Sequence, residues 1–278
     1  MAVCAYCGNK GDLTKEHVIP SWLYEATKNQ NLQLIQAQPK KFINNQQTKK
    51  DVCETCNNIA LSKLDNYVKN LHDEYFRNIV KNNESIVFNY NFDFLARWLL
   101  KVSFNSARAN KGNYHVFSNL KKYMINGTDR PSKLTIMIQL ITPQVLSKRE
   151  RDLIPDENLR KLGVITPNTT RISRLDAATT SVDPQKFDIA RMVMVNSYQF
   201  FIFLPSDKVQ SDLEWDDLLN QFGTSEITSG VQKLMTTENS IKVSASKVKL
   251  VHTMEHHIMR NLKVYSQLIN DRSPKETK

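Results

Sequence analysis

Nowhere does the sequence approach the run of about 18–20 consecutive apolar residues that a membrane-spanning helix requires. The segment Met1-Ala2-Val3-Cys4-Ala5-Tyr6-Cys7 lacks the basic start and apolar stretch of a secretory leader. These two absences lead to the expectation of a cytoplasmic protein without a membrane partner. No internal repeat is visible. Apolar residues nevertheless make up 40% of the chain, an ordinary share for a packed domain, so disorder is not the expectation. Cysteine is scarce: there are four in 278 residues, and none stands outside a pair.

Charge is plentiful and of one dominant sign. The formal net charge of +10 favours polyanionic partners through phosphate neutralisation. The excess is unevenly spread. Residues 1–70 hold nine Lys against six Asp or Glu. Four thiolates on one zinc ion would subtract a further charge of about 2 there. Any grip on a nucleic-acid backbone would therefore come largely from later segments.

The four cysteines form two CxxC pairs, Cys4/Cys7 and Cys53/Cys56. In a reducing compartment, paired knuckles of this kind read as a structural zinc site before they read as disulfides or a redox pair. Tetrahedral zinc takes four soft or borderline ligands, and each CxxC turn presents two thiolates to one ion.

Along the chain, Val18-Ile19 reads as a short strand stopped by Pro20. Residues 24–50, rich in Gln, Asn and Lys, read as a long polar loop with one short strand near Phe42-Ile43. After the second knuckle, Ile59, Leu61, Leu64, Val68, Leu71, Tyr75 and Ile79 recur at close to helical spacing, predicting a helix from Asn57 to about Val80. A second helix is predicted over 92–108, with Phe92, Leu95, Ala96, Leu99, Val102 and Ser103 buried. Its Arg97, Lys101 and Arg108 form a basic stripe, either a solvated face or a phosphate contact.

From about residue 133 the pattern changes to period two and short apolar runs. Strands are predicted at 133–142, 188–195, 198–204 and 241–251, the middle two forming a hairpin across Asn196-Ser197. Helices are predicted at 212–222 and 254–268, and residues 143–186 read as a loop-rich connection. The expected class is α+β, with an N-terminal module over 1–80, a helical connector over 81–130 and an α+β region over 131–278.

The chemistry-bearing residues lie at the knuckles. Leu13-Thr14-Lys15-Glu16-His17-Val18-Ile19-Pro20 sits between them, and Asn57 and Asn58 follow the second. A zinc ion clamping the knuckles would bring a carboxylate, an imidazole and a carboxamide near one point. Such a set suits metal-assisted phosphodiester hydrolysis. A divalent ion takes hard oxygen ligands, and an imidazole supplies a base that is neutral near pH 7.

The order CxxCG, LTxEHVIP, CxxCN resembles the HNH endonucleases, in particular their EHxIP group, over less than a quarter of the chain. The resemblance implies a ββα-metal fold in the N-terminal module. In it, His17 would be the general base that activates water, and Glu16 a ligand of a catalytic divalent metal, Mg²⁺ or Mn²⁺. Asn57 would complete that metal site, and Cys4, Cys7, Cys53 and Cys56 would hold structural zinc. It further implies nucleic acid as substrate, DNA favoured, with cleavage leaving a 5′-phosphate. The middle residue of the pattern lacks its usual Asn-Leu setting, and Asn44 or Asn45 stands where it would fall.

Other readings exist for the same residues. Asn57 could cap a helix, and Asp65 could be solvated or brace a basic side chain. His252 and His256 would share a helix face beside His257, a spacing that can bind metal, but no cysteine lies near. The acids Glu214, Asp216 and Asp217 suit a helix start. The competing functions are a zinc-dependent nucleic-acid-binding protein without catalysis and a zinc-stapled interaction scaffold. The C-terminal region is expected to serve nucleic-acid binding, a homodimer contact or a regulatory partner.

Overall fold

Two tight knuckle turns and a strand pair organise the start of the chain. In the computed structural model, residues 2–27, 34–37, 40–43, 47–152, 163–167, 170–175, 182–225 and 227–248 are described. The first knuckle closes when the Gly8 N–H donates to the Cys4 carbonyl at 3.0 Å. Gly8 sits at φ 76°, a left-handed conformation that a Cβ would strain.

Strand β1 (Leu13–His17) leads through α1 (Ser21–Thr27) to the small hairpin of β2 (Leu34–Ala37) and β3 (Lys40–Ile43), and then to β4 (Thr48–Cys53). β1 pairs antiparallel with β4, Leu13 opposite Cys53 and His17 opposite Thr48. A continuous helical stretch follows, made of a π-helical turn (Thr55–Leu61), α2 (Ser62–Leu71) and a second π-helical turn (His72–Phe76). Next come β5 (Ser85–Asn89), α3 (Phe92–Ala109) and α4 (Lys121–Asn126).

The remainder is β6 (Thr135–Leu140), β7 (Gln144–Val145), α5 (Lys148–Asp152), β8 (Val164–Ile165), β9 (Thr170–Arg174), β10 (Phe187–Val195), β11 (Tyr198–Pro205), α6 (Asp212–Gly223), β12 (Gln232–Lys233) and β13 (Ser240–Ser244). An antiparallel sheet runs β12-β6-β11-β10-β9, while β13 pairs with β5. The molecule is mixed α and β, as the sequence patterns imply. No helix among the described residues is long and apolar enough to cross a membrane.

The sheet is buried on both faces, which is why its strands read as apolar runs rather than clean alternation. Ile136, Ile138, Val193, Phe200 and Ile202 face the core built on α2 and α3. Their neighbours Met137, Met192, Met194, Phe201 and Phe203 face Trp215, Leu219 and Phe222 of α6. The first core is continuous from Cys4 and Tyr6 in the knuckle to Val243 in β13. The β10–β11 hairpin tip docks onto the helical stretch: Asn196, at φ 51°, donates from Nδ2 to the Phe76 carbonyl at 2.7 Å.

Several sequence expectations shift in position. The strand predicted at Val18-Ile19 lies just before it. β1 ends at His17 because Val18 and Ile19 turn inward as core residues, 5% and 7% exposed. The stretch 24–50 is not a loop with one strand: it holds most of α1, β2, β3 and the start of β4. The connection 143–186 contributes β9, which hydrogen-bonds along β10 as an edge strand. The strand expected over 241–251 is shorter, since β13 ends at Ser244, where β5 begins opposite it. The helix at 254–268, the histidines 252, 256 and 257, and Asn44 and Asn45 lie outside the described residues.

Candidate active site

The two knuckles meet. The Sγ atoms of Cys4, Cys7, Cys53 and Cys56 all lie within 4.8 Å of one another, so the four could bind a metal ion such as zinc. The donor set fits the ion: Cys7 Sγ and Cys53 Sγ are 3.7 Å apart, near the edge of about 3.8 Å that Zn–S bonds of about 2.3 Å give a tetrahedron. The Cys53 N–H donates to Cys4 Sγ at 3.3 Å. Burial works to raise the Cys4 thiol, but backbone N–H groups of Cys53, Cys7 and Tyr6 outweigh it and bring its pKa down to about 7. Burial raises Cys56 and Cys7, so a bound ion must displace their protons.

Beside this cluster, β1 and the first helical turn enclose a cleft of about 370 Å³, within the size range of ligand sites. Glu16, His17, Asn57, Asn58, Ser62 and Asp65 supply its polar wall, with Trp22 and Pro20 as apolar lining. The structure thus brings Glu16, His17 and Asn57 together, the 39 residues of sequence between the last two notwithstanding.

Asn57 is not the helix cap: the cap position is Glu54, and Asn57 lies inside the π-helical turn. Its Nδ2 donates to Thr14 Oγ1 at 2.8 Å and to the Lys15 carbonyl at 3.1 Å, stitching the helix to β1. A carbonyl can only accept, so the amide orientation is fixed, and Oδ1 is left without a partner among the described residues. His17 is half-buried, and no described group hydrogen-bonds its imidazole.

Glu16, the expected ligand of a catalytic metal, is not an open carboxylate. It is 5% exposed, and its Oε1 receives Lys101 Nζ at 2.9 Å and Asn105 Nδ2 at 3.2 Å. Lys101, only 1% exposed, also reaches Asp65 Oδ2 at 2.6 Å. Burial alone would lower the Lys101 pKa, but the charges of Asp65 and then Glu16, with their hydrogen bonds, hold it above the ordinary lysine value. Asp65 further accepts from Trp98 Nε1 at 3.1 Å, so it braces a basic side chain.

The basic stripe of α3 is therefore neither a solvated face nor a phosphate contact. Lys101 lies inside the protein, and Arg97 donates to the Met124 and Ile125 carbonyls. Arg108 is 4% exposed, pairs with Asp51 at 2.5 Å and lies over the Phe104 ring at 4.6 Å. Between these cations sits Asn105, which sequence reading passed over. Its Nδ2 also donates to the His17 carbonyl at 3.0 Å, and its Oδ1 accepts from Tyr6 OH at 2.7 Å and Arg108 at 2.6 Å. One residue thus ties the knuckle, the Glu16–His17 strand and α3 together. The signal was the spacing Trp98, Lys101, Asn105, Arg108, which puts three polar side chains and an indole on one helical face.

Among the described residues, the four cysteines are the one set of three or more His, Cys, Asp and Glu side chains close enough to share an ion. No protein-family model, no curated protein and no solved structure matches this chain.

Proposed function

We propose that the protein is a metal-dependent endonuclease of the HNH kind that hydrolyses phosphodiester bonds, with DNA as the favoured substrate. The observation that carries this reading is the convergence of Glu16, His17 and Asn57 on one cleft next to a four-thiolate cluster. The order β1, β4, helix is that of a ββα-metal module and supports it. Four free cysteines fit a reducing compartment, as expected of a cytoplasmic enzyme.

In this reading His17 takes a proton from the attacking water, its imidazole being unengaged. Glu16 and the Oδ1 of Asn57 would hold Mg²⁺ or Mn²⁺, with water completing the shell. When bound, that cation neutralises charge building on the phosphate. Asn57 keeps β1 against the helix, and Asn105 fixes the backbone that carries His17. Residues 131–278 serve substrate, a second copy or a regulatory partner.

One observation favours a second reading, a zinc-dependent nucleic-acid-binding protein without catalysis. Glu16 is already satisfied by Lys101 and Asn105, as a purely bracing carboxylate would be.

Nicking of supercoiled plasmid with Mg²⁺ or Mn²⁺ separates the two, comparing the parent with His17→Ala after zinc is confirmed in both. The nuclease reading expects nicking by the parent and a loss of about 10²–10⁴-fold in the variant. An inert parent that binds DNA as tightly as His17→Ala would instead support the binding protein.

A further inference from the structure

The far edge of the main sheet carries an unusual pair. Arg174 of β9 stands directly opposite Arg191 of β10 in the antiparallel register. Like charges in that relation repel, and sheets place opposite charges or apolar pairs there instead. Neither guanidinium has a carboxylate or any other hydrogen-bond acceptor among the described residues. Arg191 is half-buried, with its guanidinium 5.6 Å from the centroid of the fully buried Phe117 ring. Burial, and then the charge of Arg174, pull its pKa down to about 10. Among the described residues, the Phe117 ring is all that offsets the desolvation of Arg191, and nothing offsets its repulsion by the exposed Arg174.

The pair borders a small recess of about 20 Å³, room for one water-sized group such as a single phosphate oxygen, whose other polar lining is Asn113 and Asp188. Asp188 is not a counter-ion to the pair. Burial and the neighbouring Asp207 raise its pKa, the reverse of what a guanidinium partner would do. Contacts of Phe117 with Phe104 at 5.6 Å, and of Phe104 with Tyr6 at 5.1 Å, connect Arg191 to the knuckle through rings.

We propose that Arg174 and Arg191, with Asn113, form a receptor for a phosphate of a bound nucleic-acid strand. Among the described residues the pair has no negative partner, and paired guanidinium forks match phosphate oxygens in geometry and charge. The site also answers a question of charge. Residues 1–70 carry a surplus of only three basic side chains, so any grip on a nucleic-acid backbone would come largely from later segments. The strand assignment rests on the nucleic-acid reading above; the anion site does not.

The test uses the full-length, zinc-loaded protein and Arg174→Gln, with Arg191→Lys as a second variant that keeps the charge but removes one guanidinium fork. Two readouts are taken: binding of a labelled oligonucleotide duplex across a salt series, and the melting shift produced by inorganic phosphate. Relief of repulsion leaves Arg174→Gln at least as stable as the parent, whereas loss of a structural arginine would lower its melting point. The variant binds the duplex about five- to tenfold more weakly at low salt, with the slope of log K against log salt reduced by about one. It also loses the phosphate-induced shift, and Arg191→Lys, which keeps the charge but not the fork, retains only part of it. Equal duplex affinity and salt slope in parent and Arg174→Gln overturn the proposal and leave the His17 chemistry as it was. A parent that binds no duplex, but is stabilised by phosphate only with Arg174 present, overturns the strand assignment and the nucleic-acid reading together while the anion site stands. A parent that responds to neither ligand overturns the whole.

Discussion

Lys101 makes the site's electrostatics an internal matter. A buried ammonium between two carboxylates is stable only as a set, because attraction at short range offsets the desolvation of all three. Lys101→Met would keep most of the packing volume and leave Glu16 and Asp65 facing each other without a cation. The expected loss is about 3–5 kcal/mol, measured by urea unfolding at neutral pH. The pH dependence has a definite sign. A lysine whose folded pKa lies above its unfolded value contributes stability that is complete below the unfolded value and lost as pH rises through the folded one. The gap between parent and variant should therefore hold across neutral pH and close only above the ordinary lysine range. A gap that closes between pH 7 and 9 would mean that Lys101 does not carry its charge inside the protein.

At the scale of elements, propensity and periodicity located most of the regular structure. The α3 pattern, the β10–β11 hairpin and α6 were all legible, because each has a long apolar pattern bounded by a turn or a cap. α6 illustrates this: Ser211 Oγ accepts the Glu214 N–H at 3.1 Å, and Glu214 accepts the Gln210 N–H at 2.7 Å. Ser211→Ala should cost about 1 kcal/mol in a denaturant titration, with no change in zinc content. The short elements were not legible. α1 spans seven residues, and β9 reads Thr-Arg-Ile-Ser-Arg, whose strand character comes from pairing with β10 rather than from its own composition. At the site, Cys4, Cys7, Cys53 and Cys56 were visible because spacing alone defines a chelate. Lys101 and Asn105 were not, because Glu16, the carboxylate they share, is 85 or more residues away and their helical spacing alone does not announce a buried polar contact.

The whole molecule is bound together by shared walls. β6, β10 and β11 give alternate side chains to two cores, and the first of these runs on into the knuckle through Cys4, Tyr6 and Cys56. Tyr6 packs edge-on against Phe104, and Arg108 covers the same ring, so the cysteine cluster abuts α3 directly. A zinc ion held by these four cysteines would act on the entire fold, unlike one in a tethered finger. Chelation should lower a single melting transition by about 10 °C, corresponding to several kcal/mol at about 2–4 °C each for a protein of this size. Two tryptophans can report on this independently. Trp98 hydrogen-bonds Asp65 beside the cleft, and Trp215 lies in the far core under α6. With the other indoles replaced by Phe, each should melt at the same temperature and shift equally when zinc is removed. If the Trp215 transition stayed in place while that of Trp98 fell, the sheet would be insulating its two cores, and the knuckle would stabilise only the half of the molecule that it touches.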